Sequence, residues 1–95
     1  MSMIISLGFD FKEEFHYVLI TVKELKERIQ YRITVMNGEL EQLLFDCNVV
    51  NEVNGELELD DCNGNKEKWL LKKQIIEALS KYTQKKIRAN SGIEN

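Results

Sequence analysis

The sequence predicts an α+β fold: an antiparallel β-meander of four to five strands with one C-terminal helix packed across one face. Three observations carry this. Residues 3–35 contain three runs in which apolar side chains recur at every second position, Asn54-Gly55 separates two further runs of that kind, and only residues 65–85 carry a long stripe with helical spacing. Alternation is the period of a half-buried strand, and Asn-Gly supplies the two positive-φ residues of a type I′ hairpin turn.

The first strand is expected over 3–11, where Ile5, Leu7, Phe9 and Phe11 alternate with Ser6, Gly8 and Asp10. After a turn at Lys12-Glu13-Glu14, residues 15–22 are β-branched and aromatic with apolar groups on both faces, as in a central strand. A charged turn at 23–27 leads to 28–35, with Ile29, Tyr31, Ile33 and Val35 inward and a polar opposite face. A helix over 22–29 would suit the Lys, Glu and Leu found there, but the strict alternation that follows favours a meander.

A second Asn-Gly stands at Asn37-Gly38 and is followed, like the first, by Glu-Leu-Glu. Two copies are too few for a repeat architecture, so shared turn chemistry explains the similarity. Leu40, Leu43 and Leu44 follow at i, i+3, i+4, which reads as a short helical turn over 39–45. The Asn54-Gly55 turn then sets a register in which Val53 faces Glu56, Val50 faces Leu59, and Cys47 faces Cys62. Val50, Leu57 and Leu59 point to the core in that register, and both cysteines point away from it.

Asn65 is the expected N-cap of the helix, whose stripe is Leu71, Ile75, Ala78, Leu79 and Tyr82, with Trp69 and Ile76 at its edge. Its C-terminal lysines suit the helix dipole. Residues 1–88 are expected to form a single α+β domain and 89–95 a disordered tail. The expected core is Leu7, Phe9, Leu19, Ile20, Ile33, Val50, Leu57, Leu59, Leu71, Ile75 and Leu79.

Ninety-five residues suffice for one core and leave little room for an elaborate buried active site. No stretch approaches the roughly 20 apolar residues of a membrane-spanning helix, and the N-terminal segment lacks the basic start of a secretory signal. A cytoplasmic location with no membrane association is the resulting expectation. Two cysteines in a reducing compartment are read as free thiols. Directly opposed strand residues are nonetheless close enough to bridge, so Cys47 and Cys62 are also a candidate redox pair.

Catalysis is not expected. A nucleophilic cysteine needs a neighbouring base or cation, whereas Cys62 follows Asp60 and Asp61, and the single histidine, His16, lies on a distant strand. No cofactor is implied, and no metal either: Asp60, Asp61, Asn63 and Asn65 miss the EF-hand spacing, and no zinc-type set of Cys and His exists. The net charge of −3 argues against nucleic acid as a general partner. The charge is uneven, however, because residues 66–88 carry Lys66, Lys68, Lys72, Lys73, Lys81, Lys85, Lys86 and Arg88 against only Glu67 and Glu77.

The surplus apolar surface is the better functional signal. One helix covers one sheet face, yet residues 15–22 are apolar on both. The second face then needs the 40–45 segment or another subunit, and exposed apolar patches mark interaction sites. The expectation is a non-enzymatic protein-interaction or self-associating module, with a homodimer or small protein partner. Its surface is expected to include Tyr17, Val18, Ile20, Val22, Lys73 and Lys81. The alternative is a single-stranded nucleic-acid-binding module using the basic C-terminal helix, with sheet aromatics for stacking.

Overall fold

A computed structural model describes residues 2–89 and shows an α+β architecture with one six-stranded mixed sheet and two α-helices. The strands are β1 (Ser2–Phe11), β2 (Glu14–Glu24), β3 (Ile29–Val35), β4 (Val49–Val53), β5 (Glu56–Leu59) and β6 (Lys86–Ala89). They lie in the sheet in chain order, so the first five form the expected antiparallel meander. The sixth strand departs from the expectation. Lys86–Ala89 runs parallel to β5, pairing Leu57 with Ile87 and Leu59 with Ala89, so Ala89 ends a strand and does not begin a tail. Parallel neighbours require a crossover connection, and the C-terminal helix supplies it. The expected tail over 90–95 lies outside the described residues.

Asn54 and Gly55 form the β4–β5 turn with φ of 54° and 81°, and the predicted pairing of Val53 with Glu56 is present. The β1–β2 turn uses the same left-handed geometry at Lys12 and Glu13, without a glycine to ease it. At Asn37-Gly38 the chemistry serves a different end. Asn37 is extended and its side chain accepts from the Leu40 amide, capping helix α1 (Gly38–Leu44). Glu41 reaches back from α1 to accept from the Val35 amide, which ties the helix to the end of β3.

Helix α2 (Lys66–Thr83) starts on its predicted cap, Asn65, which accepts from the Lys68 amide. It ends two residues before the expected Lys85, where Gln84 turns left-handed. Both helices cover the same sheet face. Leu44 from α1 and Leu71, Ile75, Ile76 and Leu79 from α2 join Ile5, Phe9, Val18, Ile20, Ile33, Val50, Leu57 and Leu59 in one core. Two expected members lie elsewhere: Leu19 is 36% exposed on the opposite face, and Leu7 is half-buried beside the core. Tyr82, expected in the helix stripe, is exposed, and its inward role passes to Ile76.

That second face of the sheet bears Ile4, Phe15, Tyr17 and Leu19, and no described element covers it. Phe15 packs edge-on against Tyr17, with ring centroids 5.2 Å apart. Its ring also lies over Gly8, where a β-carbon would collide with it. No helix among the described residues is long and apolar enough to cross a membrane.

Candidate functional site

The densest group of reactive side chains lies where the chain enters and leaves the β4–β5 hairpin. Cys47 closes a 3-10 turn, Phe45–Cys47, that follows α1, and Cys62 opens another, Cys62–Gly64, that precedes α2. The two are joined as a disulfide with their Cα atoms 5.8 Å apart. The sequence correctly brings these residues together, but two expectations change. They are bonded where free thiols are expected, and Cys62 is turned inward to 2% exposure where the ladder register points it away from the core.

Departure from the ladder explains the inward turn. Beyond Leu59 the chain leaves the strand, and Cys62 and Asn63 adopt left-handed backbone with φ of 49° and 60°. Alternation no longer governs which way a side chain points once the strand has ended. Asp61 stabilises this corner by accepting from the Asn63 amide.

Lys72 completes the group from the second turn of α2. Its side chain is 1% exposed, with Nζ donating to Asp60 Oδ1 at 3.2 Å and lying 3.4 Å from Cys47 Sγ. The same carboxylate oxygen is 3.5 Å from Cys47 Sγ and 3.6 Å from Cys62 Sγ. Burial pushes the Lys72 ammonium pKa below its ordinary value, and the charge and hydrogen bond of Asp60 oppose that shift. One turn earlier, Lys68 holds Asp46 at 2.5 Å and draws its carboxyl below the ordinary range. A cleft of about 290 Å³ opens over the bridge, lined by Asp46, Asn48, Asp60, Asp61 and Asn63.

Cys47, Asp60 and Cys62 bring their ligand atoms within 4.8 Å of one another, the only such group of metal-binding residue types among the described residues. In the bridged form the sulfurs are bonded to each other and the Lys72 ammonium stands where a cation would, so the arrangement suits sulfur chemistry better than metal binding. From sequence alone Lys72 is one of the eight basic residues of 66–88. The signal was present: Leu71, Lys72, Ile75, Ile76 and Leu79 recur at helical spacing, which places a lysine inside an apolar stripe.

The expected interaction residues do not share one surface. Val18, Ile20 and Val22 are buried under the helices, so they are core residues and not contact residues. The 40–45 segment, expected as one candidate cover for the second face, packs instead beside α2 on the same face, and the side of β2 that bears Tyr17 and Leu19 is covered by no described element. Tyr17 stands exposed on the opposite face. Lys73 pairs with Glu77 along α2 at 3.0 Å, and Lys81 is exposed on the same helix.

A second polar group lies in the core. Tyr31 donates to Glu52 Oε1 at 2.6 Å, and Lys85 pairs with the other carboxylate oxygen. Burial alone would raise the Glu52 pKa, but hydrogen bonds from Lys85 and Tyr31 and the lysine charge bring it below its ordinary 4.5. The Tyr31 phenol is pushed the other way, above 10.0, by burial and by its bond to that carboxylate.

These directions predict the pH dependence of stability. The Glu52 contribution is complete above the ordinary carboxylate range and disappears as pH falls through its lower folded-state value; the Tyr31 contribution is complete below about pH 10 and declines above it. Tyr31→Phe is expected to cost roughly 2 kcal/mol at neutral pH, the worth of a hydrogen bond to a charged group. Urea unfolding between about pH 2 and pH 7 checks this, with a shallower acid-side loss expected for the variant than for the parent.

Comparison with family models, curated proteins and solved structures gives no match for this chain.

Proposed function

We propose that this protein is a non-enzymatic self-associating module that pairs with a second copy of itself through the free edge of β1. The observation that carries this is the unequal state of the two sheet edges. β6 is four residues long and bears Lys86 and Arg88, which is how edge strands are ordinarily kept from pairing. β1 is ten residues long, has only β2 as a strand neighbour among the described residues, and holds no charge before Asp10 and no proline. Its exposed side chains include Met3 and Ile4.

The surroundings of this edge favour a strand as the occupant. A cleft of about 290 Å³ runs between Leu7–Asp10 and the α2 residues Gln74, Glu77 and Lys81. An added strand meets backbone donors and acceptors on one side and opposite charges on the other. Antiparallel β1–β1 pairing presents the same patch from both copies and closes as a two-fold dimer, so nothing remains to propagate a fibre.

The nucleic-acid alternative has Phe15 and Tyr17 exposed as stacking surfaces. The basic helix is largely committed elsewhere: Lys68, Lys72 and Lys73 hold Asp46, Asp60 and Glu77, and Lys85 just beyond it holds Glu52. Charges neutralised within the molecule attract phosphates poorly.

Light scattering over a concentration range tests the dimer. The parent is expected to pass from monomer to dimer with rising concentration, and Ile4→Lys, a charge on an exposed edge position, is expected to stay monomeric with unchanged circular dichroism. A parent that is monomeric at every concentration ends this reading, and an Ile4→Lys dimer places the contact elsewhere.

A further inference from the structure

We propose that the Cys47–Cys62 bridge is a thiol–disulfide exchange site for low-molecular-weight thiols, in which Cys47 is the sulfur that enters the mixed disulfide and Lys72 is the fixed cation beside it. The inference concerns the hairpin corner and is independent of the β1 edge.

Three features distinguish this bridge from a purely structural one. It lies at a cleft and not within the core, since Cys47 is half-buried and both cysteines border the opening described above. The two sulfurs are inequivalent: Cys62 is turned inward, whereas Cys47 has the Lys72 Nζ 3.4 Å away. And the lysine is a buried, positioned group with one carboxylate partner, Asp60, in place of the full hydration an exposed ammonium would have. A cation next to a sulfur stabilises its thiolate, the form that attacks disulfides. From sequence alone the neighbours of Cys62 are the acids Asp60 and Asp61, an arrangement that discourages thiolate formation. The fold changes which cysteine matters by bringing Lys72 to Cys47.

The exchange is balanced in two steps. An external thiolate attacks Cys47 Sγ; the new sulfur–sulfur bond forms as the Cys47–Cys62 bond breaks, and Cys62 leaves as a thiolate that takes a proton from water. A second external thiolate then attacks the external sulfur of the mixed disulfide. It releases the external disulfide and leaves Cys47 as a thiolate beside Lys72. Two external thiolates are oxidised to one disulfide, and the protein bridge gains two electrons and one proton, with Cys47 left as the thiolate. In the reverse direction Cys47 attacks the external disulfide and Cys62 resolves the intermediate.

The magnitude follows from two opposing effects. A cation beside the sulfur raises its thiolate fraction at neutral pH, on the order of fifteenfold. The weaker nucleophilicity of the more acidic thiolate takes back roughly fivefold, so a net gain of about threefold is expected.

The test uses the full chain with oxidised glutathione at pH 7, following the adduct by mass spectrometry. With Cys62→Ser as the starting variant, the adduct is expected on Cys47. Adding Lys72→Met is expected to slow its formation about threefold. The position of the adduct in the parent reads out even if the buried lysine change impairs folding. For the parent, reduced glutathione is expected to open the bridge by way of an adduct on Cys47. An adduct on Cys62 in the parent, or a rate unchanged by Lys72→Met in a chain whose circular dichroism matches that of the starting variant, overturns the proposal.

Discussion

Ile20→Ala is expected to destabilise the protein by about 2–5 kcal/mol, while Leu19→Ala, one residue away on the same strand, is expected to cost well under half as much. Ile20 lies on β2, directly opposite Ile5 on one neighbour and Ile33 on the other, and is fully buried under the helices. Removing its outer carbons loses their transfer free energy and leaves a cavity that strands held on both sides by ladders cannot close. Leu19 faces the uncovered side, between Ser6 and Thr34, where a shortened side chain leaves a solvated gap. Against a total stability of about 5–15 kcal/mol for a domain of this kind, the first change is large enough to unfold a substantial fraction of molecules. Urea unfolding of both variants with the bridge intact checks the contrast. Equal losses at the two positions would mean that the second sheet face is covered in solution, as β1-edge dimerisation alone does not require.

The second large effect is expected from the disulfide. Replacing both cysteines by Ala is expected to lower stability by about 3 kcal/mol, the loop-closure value for a cross-link of this span. The bridge joins positions 15 apart in sequence and encloses the β4–β5 hairpin, whose two strands are short and share few ladder pairs. In the unlinked chain that segment samples many more conformations, so the difference arises chiefly in the unfolded state. Unfolding of the parent with and without dithiothreitol, beside the double-Ala variant, separates the bridge from side-chain packing. Reduced parent and variant are expected to share a lower midpoint than oxidised parent. Coincident midpoints for all three would show that the bridge does not form in solution.

Much of the fold is legible in the sequence. The alternation at Ile5, Phe9 and Phe11 and at Tyr31, Ile33 and Val35 marks their strands and the faces they bury, because one side of each strand is polar. Asn54-Gly55 acts through its own backbone and Asn65 through its side chain on the Lys68 amide, so the hairpin and the start of α2 follow from local chemistry. β2 was only half legible. With Tyr17, Leu19, Val18 and Ile20 all apolar, periodicity marks a central strand but does not say which side the helices take. Leu19 and Ile20 therefore cannot both be core residues, and neither alternation nor propensity chooses between them.

The candidate site was legible in part and for a similar reason. Hairpin register brings Cys47 towards Cys62 using nothing beyond the position of the turn. It cannot supply Lys72, which arrives from α2 across 25 residues of sequence, nor the left-handed backbone that turns Cys62 inward. The strand β6 is another such case: four residues with one half-buried apolar group carry almost no periodic signal, and Lys86–Ala89 becomes a strand because α2 returns the chain to the open side of β5.

Local stereochemistry and hydrophobic period are written residue by residue, and they specify the turns, the cap, the helix and most strand faces of this protein. Which face of the central strand is buried, which lysine is withdrawn from water, and which cysteine has a cation beside it depend on contacts between segments far apart in the chain. Those were decided by the packing of α1 and α2 on one side of the sheet, since only the assembled core determines which apolar groups lose water and which charged groups must find partners.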